Sequence, residues 1–155
     1  MVFAVPAIEP AAYVLTATDA NGEPVQFING SELTTQAAFQ VMAETILWEG
    51  SFSVTWGTPF DALKTKFIDW VNDGTIKEGT IIRATVSGNG QGTMTSAWWN
   101  NILTGKADPE RGDTIISGDM VLEYTLNATS LELITTQDGA LFVGDGYTIT
   151  RVTME

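Results

Sequence analysis

From Ile46 onward the sequence is a succession of short runs rich in Val, Ile, Thr and aromatic residues, punctuated by glycine. This pattern constrains the fold more than any other feature. β-Branched and aromatic side chains suit a pleated, half-buried surface, and glycine supplies the backbone freedom that chain reversals need. The runs cover residues 46–50, 52–56, 80–86, 93–99, 114–116, 121–126, 141–143 and 147–152. In the last of them apolar and polar residues alternate, as on a strand with one buried face. Strands at this spacing predict a mainly β domain of the sandwich type. Two helical segments interrupt them. Phe60, Leu63, Phe67, Trp70 and Val71 share one helical face ahead of Gly74, and Thr129-Ser130-Leu131-Glu132 reads as a capping box before a short helix. The segment Ser87-Gly88-Asn89-Gly90-Gln91-Gly92 lacks the Gly-Lys-Ser/Thr of a phosphate loop and reads as a turn between two strands.

The first 45 residues read differently. Pro6 and Pro10 deny helix to residues 1–12, which predict an extended arm. Its apolar Phe3, Val5 and Ile8 need cover, either from the same domain or from another subunit. Residues 13–18 and 25–28 predict a hairpin closed by Asp19-Ala20-Asn21-Gly22-Glu23-Pro24. Residues 31–43 predict a helix capped by Ser31, with Leu33, Ala37 and Val41 at i, i+4 and i+8. The expected division is therefore an arm, hairpin and helix over 1–45, serving attachment or oligomerisation, and a β-sandwich over 46–155. The chain opens with Met1 and shows no basic n-region of a secretion signal, so the reading expects a complete chain. No stretch approaches the ~20 apolar residues of a membrane span.

Composition narrows the chemistry. There is no cysteine and no histidine among the 155 residues. Disulfides, thiol nucleophiles, imidazole bases and the commonest metal ligands are all excluded. The net charge is −12, and the seven basic residues are scattered, so there is no basic patch to track phosphates. Nucleic acid and anionic membranes are not expected partners. Glu49, Asp61, Asp113, Asp119 and Glu123 are acids of the type a glycosidase uses, but nothing in their spacing selects a pair. A non-catalytic protein is expected.

The order of several motifs resembles a known family. Leu47-Trp48-Glu49-Gly50, Gly79-Thr80-Ile81-Ile82-Arg83-Ala84, Ser96-Ala97-Trp98-Trp99, Gly139-Ala140-Leu141-Phe142-Val143 and Gly146-Tyr147-Thr148-Ile149-Thr150-Arg151-Val152 follow one another. Over residues 46–154 this is similar to the jelly-roll carbohydrate-binding modules joined to glycoside hydrolases of gut and rumen bacteria. The resemblance implies a jelly-roll β-sandwich and recognition of a glycan. Residues 1–45 fall outside that pattern and resemble, in architecture, the anchoring pieces of bacteriophage head-fibre and capsid-decoration proteins. Together these imply a structural or adhesive protein on a virion surface, a homo-oligomer such as a trimer, with capsid proteins as partners and a cell-surface or dietary glycan as ligand. The alternative is a carbohydrate-binding module of a bacterial polysaccharide-degrading system, secreted or held at the cell surface.

Five tryptophans carry the candidate site. Trp48 and Trp70 lie in apolar patterns and read as core. Trp98 and Trp99 are adjacent, so in a strand one faces inward and the other outward. Trp56 precedes Gly57 at a strand end, where a loop can present it. The expected sugar site is Trp56 with Trp98 or Trp99, and Gln91, Asn100 and Asn101 nearby for hydroxyls. The competing reading packs all of them in the sandwich or at a subunit contact. No cofactor is expected. Jelly-roll modules often hold a structural calcium, for which the acidic loops 108–113 and 138–145 are the candidates, although turn formation explains their Asp and Gly residues equally well.

Overall fold

A computed structural model describes residues 12–15, 21, 23, 24, 27–29, 32–34, 37–40 and 44–155, and its contacts divide the chain into two units, Met1–Ala43 and Glu44–Glu155. In the first unit four short strands are described: β1 (Ala12–Leu15), β2 (Phe27–Asn29), β3 (Glu32–Thr34) and β4 (Ala37–Gln40). They pair antiparallel as β1 with β4, Tyr13 opposite Phe39, and as β2 with β3, Ile28 opposite Leu33. This corrects two expectations. Within the expected helix over 31–43, the described Glu32–Thr34 and Ala37–Gln40 are strands. Leu33 and Ala37, one helical turn apart in sequence, fall in separate strands, β3 and β4, because each run finds a strand partner. The hairpin also differs. Only Gly30 and Ser31 separate the paired Asn29 and Glu32, a two-residue connection whose sequence favours a tight reversal. The arm residues Phe3, Val5 and Ile8 lie outside the described residues.

The second unit contains β5 (Thr45–Val54), α1 (Lys64–Asn72), β6 (Ile81–Ser96), β7 (Thr114–Thr125), α2 (Ala128–Thr136) and β8 (Ala140–Met154). Its strands form one antiparallel sheet in the order β5-β8-β6-β7. The eight runs of the sequence are four long strands, and the expected two sheets are one, because the glycines continue the strands instead of ending them. Gly90 and Gly144 lie where the backbones of β6 and β8 nearly touch. A Cβ on Gly90 would sit 1.9 Å from the Asp145 carbonyl oxygen, and one on Gly144 would sit 2.1 Å from that of Gln91. The β6–β8 register shifts between Gly88 and Gln91, as it does where a strand bulges and bends.

The bend is large. Tyr124 stands opposite Ile82 in the β6–β7 ladder, yet its hydroxyl accepts a hydrogen bond from the Met94 amide at 3.1 Å. Twelve residues of straight strand would separate Ile82 from Met94 by about 40 Å. β6 therefore turns back over itself at its glycines. β8 does the same, since the Tyr147 hydroxyl donates to the Val143 carbonyl four residues earlier, across Gly144 and Gly146. The folded sheet encloses the core. Ile82, Ala84 and Val86 come from one half of β6 and Met94 from the other, together with Phe142 and Ile149 of β8. Phe60 is fully buried among them, edge-on to Trp48, Phe52 and Phe142, and exchanges two backbone hydrogen bonds with Phe142. Trp48 and Trp70 are partly buried against this core.

The two helices pack on each other, and α1 also packs on β8. α1 buries Phe67, with Trp70 edge-on to it, and stops before Gly74, which takes φ +81°. α2 is capped by Asn127, not by Thr129. The Asn127 side chain accepts from the Ser130 amide at 3.0 Å, and the Ser130 hydroxyl accepts from the Asn127 amide. The box is shifted two residues from the sequence reading because Asn is a cap as strong as Ser or Thr.

Candidate functional site

Two turns bring two tryptophans together. After β5, Thr55 and Thr58 exchange backbone hydrogen bonds, so Trp56 and Gly57 form the tip of a tight reversal. Trp56 is 37% exposed there. After β6, residues 97–100 form a second turn, closed by the Ser96 amide donating to the Asn100 carbonyl and the Trp99 amide donating to the Ser96 carbonyl. The expected strand through Trp98 and Trp99 thus ends at Ser96, and the inward–outward argument for the pair does not apply. Trp99 adopts φ +67°, a left-handed conformation rare for a bulky side chain. Its ring centroid lies 6.2 Å from that of Trp56, with the planes tilted by 35°.

Arg111 completes the group. Its guanidinium carbon lies 5.1 Å from the Trp56 ring centroid and 5.8 Å from that of Trp99, within cation–π range of both. Asp113 holds it in a fork: Nε donates to Oδ1 at 2.7 Å and Nη2 to Oδ2 at 2.6 Å. These hydrogen bonds, more than any other influence, raise the Arg111 pKa further above its already high value, so the group stays charged. Both partners are largely shielded, at 6% and 14% side-chain exposure. Trp56, Trp99, Arg111 and the exposed Asp108 line a cleft of about 340 Å³.

The other sequence candidates have different places. Asn101 is buried, and its side chain is committed to the loop: Nδ2 donates to the Arg111 carbonyl, and Oδ1 accepts from the amides of Leu103 and Thr104. Asn100 donates from Nδ2 to Gln137 Oε1, which also accepts from the Ser96 hydroxyl, and this ties the Trp99 turn to the end of α2. Gln91 is exposed on β6 opposite Ile115 and Asp145, away from the cleft lining. Trp98 is 65% exposed and is not part of that lining. Sequence reasoning missed Arg111, and took Asp108 only as part of an acidic loop for calcium. The one available signal was Arg-Gly-Asp at 111–113, where glycine at φ +75° lets acid and base two apart meet.

Among the described residues no group of three or more Asp, Glu, His or Cys side chains converges as a metal site. Asp113 is taken by Arg111, and Asp138, in a turn with φ +61°, is bonded to Lys64 at 2.7 Å. A second hollow of about 300 Å³ runs along the glycine bend, lined by hydroxyls of Ser53, Thr55, Ser87 and Thr148 and by Asp145. Its one aromatic, Tyr147, is buried and has no open ring face.

No family model matches the chain, and no curated protein is similar to it in sequence. Among solved structures it is similar to SGBP-B of the Bacteroides ovatus mixed-linkage glucan utilization locus, in complex with a mixed-linkage heptasaccharide. The TM-score is 0.76 at 23% identity, and the match covers 99% of this chain and 39% of that one. The chain thus spans well under half of that protein's length, and at this identity the likeness is one of fold: a mainly β fold that in Bacteroides ovatus belongs to a glucan utilization locus.

Proposed function

We propose that this chain is a non-catalytic glycan-binding domain of a bacterial polysaccharide-utilisation system, acting at the cell surface, with Trp56 and Trp99 as its sugar platform. One observation carries the reading: two neighbouring indoles on separate turns line an open cleft with a charged donor and a carboxylate acceptor. The flat C–H faces of a pyranose stack on indoles, and its hydroxyls pair with groups such as Asp108 and Arg111. Arg111 covers one face of the Trp56 ring, and the exposure of Trp56 leaves surface for a ligand. The left-handed backbone at Trp99 costs on the order of 1–3 kcal/mol, which is more readily understood at a binding site than in a turn free to relax.

The fold likeness supports this alternative better than a virion fibre. In this reading residues 1–43 serve attachment, and the two halves of the folded sheet act as the two layers of a jelly-roll sandwich. The test is calorimetric titration with the mixed-linkage heptasaccharide and a panel of other glycans. Trp56→Ala and Trp99→Ala should each weaken binding by about tenfold or more, the weight of an aromatic anchor at the centre of a contact. Binding to no glycan, or full affinity in both variants, would remove the proposal.

A further inference from the structure

We infer that the Trp56–Trp99 cleft is selective for uncharged glycans and rejects those bearing uronate or sulfate groups; this rests on the glycan-binding reading above. The positive charge at the cleft is already matched. An acidic sugar is recognised by an arginine that offers its fork of N–H donors to the anion. Among the described residues Arg111 is the one cation lining the cleft; Asp113 balances its charge and occupies its Nε–Nη2 edge at 2.7 and 2.6 Å, leaving the outer Nη hydrogens to donate to sugar hydroxyls. Its flat surface lies over the two indoles. The surrounding loop offers no replacement. Lys106 is paired with Glu110 at 3.0 Å, so the cations of segment 106–113 are both matched. Asp108 has no ion pair among the described residues, and it is exposed at the cleft. Asp108 also acts on Arg111 through space, yet segment 106–113 holds three acids against two cations, a net charge of −1 in a protein of net charge −12.

A neutral sugar meets this surface favourably, since a carboxylate at the rim accepts from hydroxyl donors. A carboxylate or sulfate on the sugar meets Asp108 as a like charge, and like charges brought together at a contact are strongly unfavourable. The cleft therefore selects by repulsion as well as by stacking.

The experiment uses the full chain and three forms of one oligosaccharide: the neutral mixed-linkage heptasaccharide, the same molecule with C6 oxidised to glucuronate, and its glucuronamide. If another neutral glycan binds instead, that one is oxidised and amidated. The glucuronate form should bind at least about tenfold more weakly at low salt, and the amide should recover most of the loss. The gap should narrow at about 1 M salt, where the Debye length falls to roughly 3 Å, and also in Asp108→Asn. Equal or tighter binding of the glucuronate overturns the inference while leaving the sugar platform standing. Rejection of the amide as well, or a gap unchanged in Asp108→Asn, also overturns it, since shape or another group would then do the excluding. Failure of every neutral glycan removes the platform reading beneath it.

Discussion

At the scale of single residues, Arg111 is the side chain on which the cleft depends. It holds two indoles by its face and one carboxylate by its edge while itself nearly excluded from water. Removing one partner of a shielded pair costs more than the pair contributes, because the other charge is left without compensation. Arg111→Ala should therefore destabilise the protein by about 3 kcal/mol, read as a lower urea midpoint with unchanged slope, and should weaken glycan binding as well. The tryptophans were legible from sequence because an indole before a glycine, or beside a second indole, is hard to bury completely. Arg111 was not, since of its two ring partners Trp99 lies 12 residues away in the same connection and Trp56 in the separate turn after β5. Asn100 and Asn101 show the same limit in reverse. Their residue type suits a sugar hydroxyl, but their local position lets the backbone and Gln137 claim them first.

At the scale of elements, glycine placement decides whether a run ends or bends. Gly90→Ala should cost at least about 2 kcal/mol, because its Cβ would collide with the Asp145 carbonyl and the paired strands would have to part. Gly57→Ala, with nothing within 4 Å of the added carbon, should leave stability within about 0.5 kcal/mol of the parent. Thermal or urea denaturation of the two variants compares them directly. The sequence marks where β6 and β8 change direction but not the manner of change, since a turn and a bulge use the same residues. The helices illustrate the same point. α1 was readable because Phe67 and Trp70 lie one turn apart ahead of a glycine stop, a spacing no strand face reproduces. In residues 31–43 the apolar spacing suggested a helix, but pairing decided the outcome: β3 pairs with the adjacent β2 and β4 with the distant β1.

At the scale of the whole molecule, one core joins both halves of the sheet, and two tyrosines lie within it. Burial raises the pKa of both Tyr124 and Tyr147 above the ordinary phenol value. The folded state therefore keeps these protons after the unfolded chain has begun to release them at about pH 10. Their contribution is fully present below that pH and is lost as pH rises from about 10 toward the folded values. Urea stability should fall on going from about pH 9 to about pH 11, and Tyr147→Phe should flatten part of the decline. The cleft residues all belong to the second unit, so a fragment of residues 44–155 that folds should bind glycan as the full chain does. The pairing of β5 with β8 sets Thr45 opposite Met154, so the polypeptide arrives at this unit and departs from it at neighbouring points. A load applied through both ends would pull these two strands apart like a zipper, breaking one pair of hydrogen bonds at a time instead of shearing the whole ladder. Under tension the unit would therefore yield first at the β5–β8 seam and act as a soft mechanical link.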